Sequence, residues 1–182
     1  MPKIRRICFY GGPGSGKSTI SAWLFAELKS RSLNVELVTE FVKYWAWSSR
    51  PVRSFDQFYL FATQLHREDV PLANGAELII TDCPLCMTCV YSRKAQLPAC
   101  DALVKIAFEF NRSYPALNLF LDRAGLGFSD EGRFHNYQDS LQLDKDIEQF
   151  LSTGKIDYKK VKATEREAVL DCVLGALEKN DL

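Results

Sequence analysis

Glycine, lysine and serine fall at a chemically suggestive spacing near the start of the chain, where Gly11, Gly16, Lys17 and Ser18 fit G-x-x-x-x-G-K-[ST] within GGPGSGKST. A polyphosphate is a dense cluster of negative charge. A loop that holds it must turn backbone N–H groups inward, with glycines where the backbone passes close. Gly11, Gly12, Gly14 and Gly16 meet that need, and Ser15 and Thr19 belong to the same cradle. Lys17 is expected to reach the β- and γ-phosphates, and the Ser18 hydroxyl to ligate Mg²⁺. The helical pattern that follows points its dipole and free N–H groups at the same place. ATP with Mg²⁺ is the expected ligand pair. Without an N-K-x-D base-reading motif, ATP and GTP are not distinguished.

Further acidic and basic residues stand where strands are expected to end. Glu40 follows LNVELVT, Asp82 closes ELIITD, and Asp122 and Arg123 follow ALNLFL. In open parallel sheets, ligands collect outside the carboxyl ends of the strands. Asp82 suits the metal, directly or through water, and is read as the Walker B carboxylate. Glu40 suits an acceptor, as general base or as an anchor for a ribose hydroxyl. Arg123 and Arg133 are candidates to clamp the transferring phosphoryl group, whose charge spreads over oxygens that guanidinium groups bind well.

Aromatics gather after Glu40. Phe41, Tyr44 and Trp45 have the i, i+3, i+4 spacing of a core-packed helix face, which leaves Trp47, Arg50 and Arg53 as better candidates to contact a base or phosphate. Tyr44 and Gln64 complete the set of candidate substrate contacts. Cys83, Cys86 and Cys89 spell C-x-x-C-x-x-C, a spacing that invites a metal. The run begins directly after Asp82, however, and Cys86 and Cys89 fit an ordinary helix face. Small buried residues are the favoured reading.

These residues need elements to position them. Leu33 to Thr39, Glu77 to Asp82, Ala116 to Leu121 and Lys155 to Lys162 read as strands beside the one that precedes the glycines. Helical patterns run from the phosphate loop to about Ser30, from Phe55 to Val70 with Pro71 as the stop, from Leu85 to Ser92, from Asp101 to Arg112, from Leu141 to Leu151 and from Glu165 to Lys179. Alternation of strands and helices predicts a five-stranded parallel α/β sheet. Ala124 to Tyr137 (AGLGFSDEGRFHNY) shows neither periodicity and is expected to be a lid.

The bulk numbers fit a single domain over residues 1–182, with 47% hydrophobic and 25% charged residues. Basic and acidic residues balance at 23 each, so whole-chain charge offers no support for binding through nucleic-acid phosphates. Six scattered cysteines, one inside the first strand, do not make a secreted disulfide framework. No apolar run approaches the length of a membrane span and no signal-peptide core precedes the glycines, so a cytoplasmic protein with no membrane partner is expected.

With these residues in hand, the chain resembles P-loop kinases of the nucleoside and nucleotide kinase group. It is similar in particular to the AAA-type ATPase/kinase domain of ribosylnicotinamide kinases and of phage-encoded nucleotide or DNA-base kinases. GGPGSGKST, the TEF ending in Phe41, the Gln64-containing helix, IITDCPL with VYS, and DEGRFHNYQ carry the resemblance. It implies a P-loop three-layer sandwich with a lid, and a kinase that moves the γ-phosphoryl of ATP to a nucleoside-like or nucleotide-like acceptor. It also implies roles for Lys17, Ser18, Glu40, Asp82, Arg123 and Arg133 as set out above. Where close relatives of the salvage kinases carry a second acidic residue near the Walker B aspartate, this chain has Cys83, Pro84 and Leu85. Two alternatives stay open: a kinase acting on a hydroxymethylated pyrimidine in DNA, and a nucleotide-dependent switch or ATPase acting on a protein partner.

Overall fold

The apolar run before the glycines forms β1 (Arg6–Tyr10), and every one of its residues is buried. A strand with both faces covered belongs in the middle of a parallel sheet. In the computed structural model, which describes residues 3–123, 126–129 and 134–179, β1 has that place. Its neighbours are β3 (Leu78–Thr81) and β4 (Ala116–Asp122), with β2 (Val35–Val38) and β5 (Lys159–Lys162) at the edges. The order is β2-β3-β1-β4-β5 and all pairings are parallel. The chain leaves β1 towards one edge and later crosses to the other, so the carboxyl end of β1 lies at the point where the winding reverses.

Side chains alternate across β1 and so divide the core in two. Ile7 and Phe9 pack with Ile20, Leu24 and Leu28 of α1 (Lys17–Ser30) and with Val169 and Val173 of α7 (Arg166–Glu178). Cys8 and Tyr10 face α3 (Asp56–Ala73), α4 (Leu85–Lys94), α5 (Cys100–Ser113) and α6 (Tyr137–Thr153). A one-turn helix, α2 (Lys43–Trp47), follows the end of β2. The result is the expected α/β three-layer sandwich, the P-loop NTPase arrangement. No described helix is long and apolar enough to cross a membrane.

Three expected boundaries move, each for a local reason. Pro71 does not stop α3, because its φ is already helical and the last turn is closed by Asn74, whose backbone N–H and side-chain amide both donate to the Val70 carbonyl, at 3.1 and 2.7 Å. The fifth strand starts at Lys159 rather than Lys155: Lys155 has a left-handed φ of 52° and Ile156 N–H returns to the Leu151 carbonyl at 2.9 Å, so these residues finish α6. Tyr137 opens α6 instead of closing the lid, with Asn136 Oδ1 accepting from Asp139 N–H at 2.9 Å as the cap. Of the expected lid, residues 124, 125 and 130–133, Arg133 among them, lie outside the described residues.

Leu24 is fully buried between α1 and the sheet. Leu24→Ala is therefore expected to cost about 2–5 kcal/mol of stability, read by urea unfolding of the two proteins side by side.

Candidate functional site

The loop between β1 and α1 is shaped by backbone that only glycine adopts freely. Gly11, Gly14 and Gly16 have φ of 141°, 81° and 88°. Close approach excludes a side chain as well: a Cβ on Gly12 would lie 2.5 Å from the Ser140 carbonyl oxygen, and one on Gly16 2.7 Å from Ala163 Cβ. The first turn of α1 leaves its leading N–H groups without helical partners, and Gly14, Gly16, Lys17, Ser18 and Thr19 line a common cavity of about 510 Å³.

Lys17 is buried, and its ammonium donates to the carbonyls of Gly11 at 2.6 Å and Gly12 at 2.9 Å. Burial lowers its pKa, against the opposing pull of Glu40, Asp82 and Asp144. The Ser15 hydroxyl is buried in the same loop without a hydrogen-bond partner among the described residues, a polar group suited to an incoming oxygen. These features fit a polyphosphate.

Asp82, at the end of β3, is almost fully buried and has two partners. Ser18 Oγ donates to one carboxylate oxygen at 2.7 Å, and the backbone N–H of Glu40 donates to the other at 2.7 Å. One carboxylate thereby ties the start of α1 to the end of β2. Among the described residues no group of three or more His, Cys, Asp or Glu side chains is arranged to hold a metal. A hydroxyl with a carboxylate behind it is a hard-oxygen donor set that suits Mg²⁺, an ion that keeps waters and takes phosphate oxygens as its other ligands.

Glu40 lies on the cavity wall beside Cys83. Burial pushes its carboxyl pKa above the usual range, and Asp82 adds to that, while Lys17 opposes it. Burial likewise raises the thiols of Cys83, Cys86 and Cys89, which are all buried. Cys86 accepts from Asn111 at 3.1 Å, and Cys89 is directed at the Leu85 carbonyl within its own helix.

The rest of the wall comes from α2, α3 and α4. Trp47 stands at the mouth, 65% exposed, while Gln57 and Gln64 are buried along one face of α3. Tyr91 of α4 stacks on His135, with ring centroids 6.0 Å apart and planes 14° from parallel. Tyr44, Arg50 and Arg53 lie off this wall. Tyr44 is 66% exposed, because a helix of one turn buries a single aromatic, Trp45. Arg50 lies over the Trp45 ring, 3.5 Å from its centroid, and Arg53 pairs with Asp56 at 3.3 Å.

Arg123 is placed behind the loop rather than on the cavity wall. Its guanidinium donates to Asp144 at 2.7 Å, to Ser140 Oγ at 2.7 Å and to the Pro13 carbonyl at 3.1 Å. Asp144 Oδ1 also accepts from Gly12 N–H at 2.6 Å, and Ser140 Oγ donates to the Pro13 carbonyl. α6 is thus fastened to the phosphate loop. Sequence reading singled out neither Ser140 nor Asp144, since their i, i+4 spacing on an amphipathic helix carries no sign of a loop more than 120 residues away.

The family model described as AAA domain matches residues 6–168. No curated protein matches the chain. Among solved structures, NadR protein in complex with NAD and AMP-PNP superposes with a TM-score of 0.70 at 12% identity, over 96% of this chain and 50% of that one. NadR in complex with NR gives 0.67 at 14% identity, over 93% and 50%. Thymidylate kinase from Ehrlichia chaffeensis gives 0.65 at 18% identity, over 96% and 99%. The chain thus spans about half the length of the NadR chains. At these identities the likeness is one of fold.

Two outcomes follow from the geometry. Gly12→Ala sets a Cβ against a backbone carbonyl that cannot swing aside, so a loss of about 1–3 kcal/mol in stability is expected in thermal melts, together with weaker binding of an ATP analogue. Glu40 has a raised folded-state pKa, so its contribution to stability is fully present below the unfolded value near ~4.3 and is lost as pH rises through the folded value. Glu40→Gln should then melt above the parent protein at pH 8, with the gap closing as pH falls towards 4.

Proposed function

Since the chain belongs to the AAA domain family and has the fold of P-loop nucleotide kinases, we propose that it is an ATP- and Mg²⁺-dependent kinase acting on a nucleoside-like or nucleotide-like acceptor. One observation carries the reading: Asp82 hydrogen-bonds both Ser18 on the donor side and the backbone of Glu40 on the acceptor side, and the two sides open into one cavity. The AMP-PNP held by one structural neighbour supports a triphosphate in the loop.

In this reading the N–H groups of the loop and of the first turn of α1 hold the β- and γ-phosphates, and Lys17 turns from the loop carbonyls to the γ-phosphate. Ser18, with Asp82 behind it, would hold Mg²⁺, which would supply neutralisation of the phosphate charge. Glu40 receives the proton of an acceptor hydroxyl, and its raised pKa brings it nearer the working range of a general base. A phosphate acceptor would meet repulsion from the same carboxylate, so a hydroxyl fits better. Arg133, from the stretch read as a lid, would complete the charge stabilisation. Arg123 acts by holding the loop against α6.

A DNA base as acceptor is a second reading, favoured by the exposed Tyr44, Trp47, Phe55, Phe58 and Tyr59 on α2 and at the start of α3. Solvent-facing rings, Trp47 on the cavity wall among them, suit stacked bases. It requires binding of single-stranded DNA that falls steeply with salt.

The primary reading is tested by ADP release from ATP with a panel of nucleosides, nucleotides and hydroxymethylated DNA. Acceptor-dependent release is expected, and release that no acceptor stimulates would refute it. Lys17→Ala and Asp82→Asn should each lower transfer at least ~100-fold while circular dichroism remains native. A rate within threefold of the parent in either variant would remove that residue from the mechanism.

A further inference from the structure

A buried ion pair that takes no part in phosphoryl transfer touches the acceptor wall through one side chain. Arg6 of β1 is 1% exposed and Glu68 of α3 is 0% exposed, and Arg6 Nη1 donates to Glu68 Oε2 at 3.1 Å. Arg6 Nε donates to the Tyr114 carbonyl at 2.9 Å and Nη2 to Asn111 Oδ1, and Phe110 packs against the guanidinium. Glu68 Oε1 accepts from Gln64 Nε2 at 3.1 Å, and the same nitrogen lies 3.5 Å from Thr81 Oγ1. One hydrogen of the Gln64 amide is thus taken by Glu68, and Thr81 is the nearest acceptor for the other. Gln64 is 2% exposed and lines the cavity, and its carbonyl oxygen has no partner among the described residues.

The orientation of this amide follows from the chemistry of its neighbours. A carboxylate beside Arg6 accepts hydrogen bonds only, so a flipped Gln64 would set oxygen against oxygen. We propose that Glu68, which holds Arg6 through one carboxylate oxygen and the Gln64 amide through the other, is a positioning residue that presents Gln64 to the acceptor cavity as a hydrogen-bond acceptor alone. The cavity then selects acceptors whose planar ring carries a lactam-type N–H, and disfavours rings with an unprotonated nitrogen there. A sugar hydroxyl both donates and accepts, so fixed polarity would do nothing to discriminate it. It does discriminate ring edges, where N–H and a bare nitrogen are opposites. The inference rests on the nucleoside-like acceptor proposed above and adds which edge of the base is read.

Calorimetric titration of the full chain with uridine, N3-methyluridine, cytidine, inosine and N1-methylinosine tests it. Uridine or inosine should bind, and its methylated form should bind about tenfold to a hundredfold more weakly, with uridine preferred over cytidine. In Gln64→Met the advantage of the N–H form should vanish. In the double variant Arg6→Met, Glu68→Gln, which leaves no bare charge in the core, residue 68 can donate to the Gln64 oxygen and release the Gln64 amide hydrogens to the cavity. Preference should then move from uridine towards cytidine, whereas a purely structural role would weaken all ligands alike. Equal binding of parent and methylated nucleosides by the unaltered protein overturns the proposal, as does binding of none of the five by protein that still binds ATP. If the double variant does not fold, the methylation comparison and Gln64→Met decide. Selective binding of N–H nucleosides without any phosphoryl transfer would refute the kinase reading and leave this one standing.

Discussion

The two hydrogen bonds accepted by Asp82 are the constraint on which the site depends. One oxygen takes the Ser18 hydroxyl and the other the Glu40 backbone N–H, each at 2.7 Å, in an almost fully buried setting. A buried carboxylate left without such donors would carry a heavy desolvation cost, so its geometry is closely held. Through it, the start of α1 and the ends of β2 and β3 are held together. Glu40 therefore cannot drift relative to the phosphate loop without exposing or stranding a charge.

A second layer of polar contacts does the same behind the loop. Arg123, Asp144 and Ser140 connect the end of β4 and the first turns of α6 to Pro13 and Gly12. Both ends of the segment between β4 and α6 are consequently anchored at the phosphate loop. Beneath the cavity wall, the Arg6–Glu68 pair has a comparable place in the core, held by Tyr114, Asn111 and Gln64. In each case a polar group in the interior orients a neighbour that faces the cavity.

The phosphate loop, the parallel sheet and the strand-end positions of Glu40 and Asp82 were legible from residue type and spacing, because each rests on a local requirement. Glycines are needed where φ is positive, and an apolar run closed by an acid marks a buried strand with a polar end. The aromatic stripe was less informative. Phe41, Tyr44 and Trp45 have helical spacing, yet Tyr44 faces solvent since α2 ends after one turn. Pro71 misled for a related reason: near a helix end a proline forfeits a single backbone bond, and the turn after it still closes through Asn74 onto Val70.

By itself, then, the sequence determined the fold class and the glycine-rich loop between the first strand and helix, which follow from periodicities and motifs spanning a few residues. The partners of the charged side chains were decided only in three dimensions. Arg6 reads as one of several basic residues near the amino terminus, but β1 carries it to Glu68, 62 positions on. Asp144 reads as one more acid on a helix face, but α6 delivers it to Gly12, 132 positions away. Charge and hydrogen bonding act through space, with no periodicity along the chain to mark which residues will meet.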